Sequence, residues 1–299
     1  MATVMTVRIP LKHLTLISVT GEECNVFLQG QLSNDIRELT ATRAQLSSLN
    51  SAKGRVLAVL QLVRYGNGVL MLVPTTIASH VAEHLAKFVL RTKAKVEVAT
   101  GMSCFGLIGT RANDALDQFG SAPVDRDWQS VAPDALVVWQ TLGAEVQRII
   151  VAGPTKKVTT AYDSLGDVPE SDIHTWRLHD LLAGLPEILP PTQDKFVAQM
   201  LRLDDLGAID FDKGCYTGQE VIARAHYLGK VKRGTKVGRT DAKRPLKPAE
   251  PLKVDGELAA LVVSSAPNPG GGQVIMAVQH KEFPDGTVFT AADGVEVTL

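Results

Sequence analysis

Lys213-Gly214-Cys215-Tyr216-Thr217-Gly218-Gln219-Glu220 sets a thiol, a phenol, an amide, a carboxylate and an ammonium group around two glycines. Glycine tolerates positive φ and close backbone approach, so the pair predicts a tight, shaped loop here rather than a helix interior. A loop this dense in polar groups is costly to order unless those groups find partners. A buried turn cysteine would account for Gly214-Cys215 but not for the whole octet. Cys215 is the first chemical candidate, because a thiolate is reactive and cations or backbone N–H donors lower a thiol's pKa. Lys213 and the amides around Gly214 and Gly218 are the local groups of that kind. The nearest histidine, His226, would have to be folded back to serve as a base.

Downstream, Glu220 and Arg224 stand four apart, the spacing of a helical ion pair, so Gln219 opens a short helix. That pair reads as a solvated brace or as ligand-facing. From Arg224 to Arg239 there is no acidic residue, while Arg224, Lys230, Lys232, Arg233, Lys236 and Arg239 are basic. Such a run suits a polyanion, a carboxylate tail or an ordinary basic surface. Upstream, Trp176 follows Ile173 at helical spacing, which reads as core or as a π face for a flat heterocycle.

The chain has 299 residues, 45% hydrophobic and 21% charged, with net charge −1. That is enough for a full core and for two or three domains at roughly 100–200 residues each. The near-neutral balance excludes chain-wide attraction to nucleic acid or anionic lipid. Cys24, Cys104 and Cys215 form no C-x-x-C pair, which argues against a disulfide framework or a chain-encoded metal site and for a reducing compartment. No stretch reaches about 18 consecutive apolar residues, and Met1–Thr20 lacks an apolar signal core, so a cytoplasmic, non-membrane protein is expected.

Periodicity predicts a strand at 14–19, a helix at 22–39 and a hairpin of 56–64 with 69–73 through Gly66-Asn67-Gly68. A helix capped by Thr75 or Thr76, a strand at 95–98 and a strand at 105–108 follow. Helix is expected at 113–119, a strand pair at 136–142 and 146–151, and helix again from Ser171 or Asp172 to Ala183, stopped by Gly184 and Pro186. Between 190 and 212 the pattern weakens, predicting a long connection that delivers the octet to a cleft. After about Thr235, short β-rich runs broken by Pro/Gly turns predict a small antiparallel barrel.

The octet, continuing into Ala223-Arg224, resembles the signature of the YgfZ-type folate-binding proteins, relatives of the glycine-cleavage T-protein (aminomethyltransferase). Lys195-Phe196, Gln199, Leu203-Asp204, Ile209-Asp210-Phe211, the segment from Phe27 to Asp35, Lys53-Gly54-Arg55 and Leu90-Arg91-Thr92-Lys93 are also similar. The resemblance implies an α+β, three-domain ring with a C-terminal antiparallel barrel. A discontinuous folate-binding domain would take 1–48 and 105–205, an inserted α+β domain 49–104, a connecting segment 206–232 and the barrel 233–299.

It further implies a folate cofactor (tetrahydrofolate or a one-carbon derivative) and support of iron–sulfur enzymes or their assembly machinery. The link to tRNA, through methylthiolation, would be indirect. Cys215 would be the critical thiol, with no metal ligand set, and Trp176, Arg224 and Lys230 would meet the folate. Such a protein would lack independent catalysis. The alternatives are a folate-dependent aminomethyl or methyl transferase and a direct tRNA-binding protein using Arg224–Arg239. Three departures stand out. Leu57-Ala58 fall where the transferase has paired aspartates, so no acid is expected there for group transfer. Leu182 replaces a glutamate that pairs with the pterin edge in relatives, and Leu14 replaces an aromatic wall.

Overall fold

The protein is described from a computed structural model, for residues 4–121, 123–124, 130–131, 135–143, 146–228 and 234–299. Strand β1 (Val7–Pro10) leads into β2 (Leu14–Thr20), helix α1 (Cys24–Gln31), β3 (Gln45–Asn50), the hairpin β4 (Val56–Tyr65) and β5 (Gly68–Pro74), helix α2 (Thr75–Val89) and β6 (Lys95–Val98). Next come β7 (Met102–Gly109), β8 (Ser130–Val131), β9 (Val137–Gln140), β10 (Gln147–Pro154), α3 (Thr155–Ser164) and α4 (Ile173–Leu182).

One sheet runs β3-β4-β5-β2-β6 and a second β1-β7-β10-β9-β8, all pairs antiparallel. Strand β5 is buried along its whole length because both faces are covered. Val69, Met71 and Val73 pack with α1 and α2 residues such as Phe27, Leu28, Ile77 and Val81. Leu70 and Leu72, on the opposite face, join Ile108, Trp139 and Ile150 of the second sheet. The period of two thus builds a layered stack, with α3 closing the far side through Val158 and Ala161. Sheet membership divides the chain at 14–98 rather than at 49–104, since β2 and β3 pair with β4 to β6.

The long connection carries 3₁₀ turns at Pro190–Thr192 and Ala198–Leu201, then the octet and α5 (Gln219–Leu228). Strands β11 (Thr235–Thr240), β12 (Pro251–Val254), β13 (Glu257–Pro267), β14 (Gln273–Gln279), β15 (Val288–Thr290) and β16 (Glu296–Thr298) close into an antiparallel barrel in the order β11-β14-β13-β12-β15-β16, as expected. Its interior holds Leu252, Val262, Ile275 and Phe289. Val263, Val274 and Met276 instead join Leu178 and Leu181 of α4, Tyr216 and Ile222 in one cluster. Helix α4 is therefore the wedge between sheets and barrel.

Two expectations shift. The helix expected at 22–39 ends at Gln31, with a separate 3₁₀ turn at Ile36–Glu38. Leu32 is extended, and the polar run from Ser33 to Asp35 spends its side chains on turns instead of helix. Helix α2 starts after Pro74 with no side-chain cap, because the Thr75 hydroxyl pairs with that of Thr15 at 2.8 Å. Asp172, by contrast, caps α4 by accepting from the backbone N–H of His174 and Thr175.

Trp176, 1% exposed, reaches the inter-sheet core, where only a glycine leaves it room. A Cβ on Gly106 of β7 would come within 2.2 Å of the indole Cζ3. Gly106→Ala should therefore overpack this seam at a cost of about 1–3 kcal/mol, read as a lowered thermal midpoint, with unchanged stability refuting the seam.

Candidate functional site

Three segments far apart in sequence meet at the octet. The backbone turn at Ser51–Gly54, joining β3 to β4, lies against Gly218, whose φ is +83°. A Cβ there would sit 2.5 Å from the Ser51 carbonyl oxygen, and one on Gly54 (φ +68°) would sit 2.6 Å from Cβ of Val221. Both glycines are thus required by left-handed backbone and by close approach together. Arg55 donates to the carbonyls of Asp194 and Lys195, and Val56 N–H to that of Phe196, which pins the incoming connection to β4. Gln199 donates its side-chain amide to the Ile222 carbonyl at 2.6 Å.

Lys213 is the centre of this junction. It is 5% exposed, and its Nζ donates to the carbonyls of Gln29, Leu32 and Asn34 at 2.9, 2.6 and 2.9 Å. An ammonium has three donors, and the end of α1 leaves carbonyls unpaired with its dipole negative there, so charge and count match. Burial pulls the Lys213 pKa down to about 8, against the Asp35 and Asp210 charges that push it up, so it stays protonated at neutral pH. Asp35 is held at about 2 by its hydrogen bonds to Arg37. The ammonium is thus committed to α1 and to the Tyr216 ring 5.0 Å away, not to the thiol two residues on. Thr217 N–H donates to the Gly30 carbonyl, and Asp210 Oδ1 accepts from the N–H of Asp212 and Lys213.

This anchoring leaves Gly214 and Cys215 exposed between two buried side chains, Lys213 and Tyr216. Glu220 and Arg224 are exposed on α5 and are not among the ion pairs of the described residues. Gln219 accepts from Tyr216 N–H at the start of α5. His226 stacks on Phe211 at 3.7 Å between centroids. Lys230, Lys232 and Arg233 lie outside the described residues, while Lys236 and Arg239 are exposed on β11.

Two cavities stand out, one next to the junction and one at Trp176. A cleft of about 960 Å³ is lined by Asn34, Glu38, Arg43, Gln45, Leu46 and Ile209 to Asp212, so its wall stops one residue short of the octet. Cys215 begins three residues beyond that wall, within ~11 Å of chain. The second is a niche of about 40 Å³ at Trp176, with Leu14, Gln61, Asp180, Leu185 and Glu187 around it. Trp176 is no free platform, because the Arg148 guanidinium covers its ring at 4.3 Å. Leu182 is 43% exposed and lines neither cavity, and neither does Arg224.

Acids reach the niche by a route that the aliphatic Leu57-Ala58 pair did not foretell. Asp180 comes from α4, four residues after Trp176, and pairs with fully buried Arg148 at 2.5 Å. Glu187 follows the helix and pairs with Arg177 at 3.2 Å. Burial pushes both carboxyls up, and the arginines oppose it. The sequence signal was a carboxylate on the apolar side of α4, but its partner Arg148 is 32 residues away on strand β10. Leu57 and Ala58 themselves are buried in β4. His13, next along the chain to Leu14, falls to about 3 through burial and the nearby Arg177, and its Nδ1 lacks a partner.

No family profile matches the chain. It is 31% identical over 229 residues to the tRNA-modifying protein YgfZ of Colwellia psychrerythraea, covering 75% of this chain and 69% of that one. It is 27% identical over 297 residues to the protein of that name from Escherichia coli O127:H6, covering 96% and 90%. Among solved structures, glycine cleavage system aminomethyltransferase T from Bartonella henselae superposes with a TM-score of 0.78 at 17% identity, over 99% of this chain and 85% of that one. The last likeness fixes the fold.

Lys213→Met should strand three buried carbonyls and cost about 3 kcal/mol, measured as a lowered denaturant midpoint. A midpoint unchanged within error would refute the clamp. His13 titrates lower folded than unfolded, so the unfolded chain binds the extra proton and stability falls as pH drops from 6.5 toward 3. Asp180 and Glu187 carry the opposite sign, so the test is differential. The thermal-midpoint gap between wild type and His13→Gln should narrow on acidification from pH 7 to pH 5; a constant gap would remove His13 from the acid response.

Proposed function

Because the chain belongs to the family of the tRNA-modifying protein YgfZ, we propose that it is a folate-binding accessory protein that supports iron–sulfur cluster assembly or repair and, through it, methylthiolation of tRNA. One observation carries this reading. An exposed thiol, Cys215, is displayed by a rigidly anchored loop three residues from the wall of a ligand-sized cleft. A thiol so placed can approach a partner's metal cluster, while Lys213 and Tyr216 hold its loop in one shape. Among the described residues no cluster of three or more His, Cys, Asp or Glu could hold a metal ion. Among the described residues no helix is long and apolar enough to cross a membrane.

The fit of a folate differs between the two cavities. About 40 Å³ at Trp176 is room for little more than a water, whereas ligand sites span roughly 300–1,000 Å³. The cleft beside the octet falls inside that range. A reduced folate, when bound, supplies a one-carbon unit; Cys215 and the octet supply position. Aminomethyl transfer is disfavoured, because Leu57 and Ala58 withhold an acid and each niche carboxylate is held by an arginine. Direct tRNA binding finds no support at the cleft, where Glu38, Asp210 and Asp212 face Arg43 alone.

Calorimetric titration with tetrahydrofolate and its one-carbon derivatives should give saturable binding. Cys215→Ala should fold and bind normally yet fail to restore a methylthiolating iron–sulfur enzyme in a strain lacking the protein. Full restoration would end the thiol's role, and no heat with any folate would end the folate reading.

A further inference from the structure

The end of α2 displays a leucine on strained backbone. Leu90 closes the helix with φ +42° and ψ −105°, a combination that glycine adopts and an L side chain resists. The tight turn is shut by the Thr92 N–H, which donates to the Val89 carbonyl at 2.7 Å. No burial offsets the strain. At 88%, Leu90 is the most exposed large apolar side chain among the described residues. Lys93, three residues on, fastens the turn to the start of α1. Its carbonyl accepts from Glu23 N–H at 3.1 Å, its own N–H donates to Glu23 Oε2 at 2.6 Å, and its ammonium pairs with Glu22 at 2.8 Å. Gly21 permits that approach, since a Cβ there would lie 2.2 Å from the Lys93 carbonyl oxygen. Strain held in place by surrounding structure, with no packing to show for it, points to a task at the surface.

A single helix joins this turn to the octet. Helix α1 begins at the Lys93 contacts and ends at the carbonyls that Lys213 and Thr217 bind, and its 8 residues span about 12 Å. Midway, Val26 is 72% exposed, and Gly30 one turn later leaves open space where a Cβ would point. Leu90, Val26 and Cys215 are therefore three exposed groups set at the start, middle and end of one helix. A standard interface covers about 800 Å² on each partner, ample for that length. Glu22 and Glu23 are committed to Lys93, whereas exposed Lys87 and Arg91 are not among the ion pairs of the described residues. Lys87, Arg91 and Lys93 balance Glu22, Glu23 and Glu83, so an anionic lipid surface has no net attraction for this end. We infer that the Leu90 turn anchors a protein-docking surface that continues along α1 to Cys215, and that its partner presents an apolar pocket rimmed by carboxylates. That the partner is an iron–sulfur enzyme rests on the function proposed above; the surface itself does not.

The experiment measures binding of the full chain to a purified methylthiolating iron–sulfur enzyme by biolayer interferometry, with a melting curve and sedimentation run for each variant. The variants are Leu90→Ala, Leu90→Gly, Val26→Glu and Leu258→Ala, the last trimming an exposed leucine of the barrel. Wild type should bind, the Leu90 and Val26 variants at least 10-fold more weakly, and Leu258→Ala within twofold. Leu90→Gly should melt above Leu90→Ala, because both lose the side chain and only glycine relieves the backbone. The reverse order overturns the strained display. Binding that survives the Leu90 and Val26 variants overturns the surface and leaves the proposed function standing. Wild type that restores the enzyme in a strain lacking the protein without binding it does the same. Binding lost with Leu90 but no restoration by wild type upholds the surface and overturns the function; neither binding nor restoration overturns both. Self-association of wild type that Leu90→Gly abolishes makes a second copy the occupant and overturns the partner assigned here.

Discussion

A single buried ammonium decides where the octet sits. Lys213 brings its charge to the end of α1, where three carbonyls from Gln29 to Asn34 would otherwise face one another unpaired. That contact spans some 180 residues of sequence and fixes both ends at once. It terminates α1 and holds the start of the loop. With Tyr216 seated in the cluster shared by α4 and the barrel, the intervening Gly214-Cys215 has nowhere to go but outward. The exposure of the thiol is therefore a consequence of two burials. Loops placed this way are rigid without being covered, which is how a reactive group stays accessible and aimed.

The same economy recurs at α4. Its apolar residues Leu178 and Leu181 join the barrel to the sheets, while Trp176 is pressed between Gly106 and the Arg148 guanidinium. Burying Arg148 demands a counter-charge, and Asp180 supplies it one helical turn beyond the tryptophan. Tryptophan, arginine and aspartate here form one packed unit. The side chain that looked most like a cofactor platform is consumed by holding the layers together.

Local signals made the elements legible. Gly66-Asn67-Gly68 announced the β4–β5 hairpin, Asp172 the start of α4, and the Pro/Gly-broken β runs the closed barrel. Resemblance along Phe27–Asp35, Lys53–Arg55 and the octet pointed to segments that prove to be mutual neighbours. What stayed hidden was long-range. Strand β3, Gln45–Asn50, is two-thirds polar yet wholly buried, because its serines bond to Ser33 and Asn34, which in turn reach the carbonyls of Ala208 and Gly207. No periodicity reveals such a strand. Nor could one sequence show that Asp180 meets Arg148, or that Gln45 lines a cleft together with residues 209–212. Pairings across 30 or more residues depend on topology, which composition and spacing do not encode.

The closed order of the C-terminal barrel has a bearing on how this molecule tolerates crowding. A strand circuit with no first and last member offers no row of bare N–H and C=O groups to a neighbouring chain. Only the two open sheets retain such margins. On one of them β6 alternates exposed Lys95 and Glu97 with half-covered valines, and the two charges are paired at 2.7 Å. Charge at that margin discourages edge-to-edge aggregation through β6.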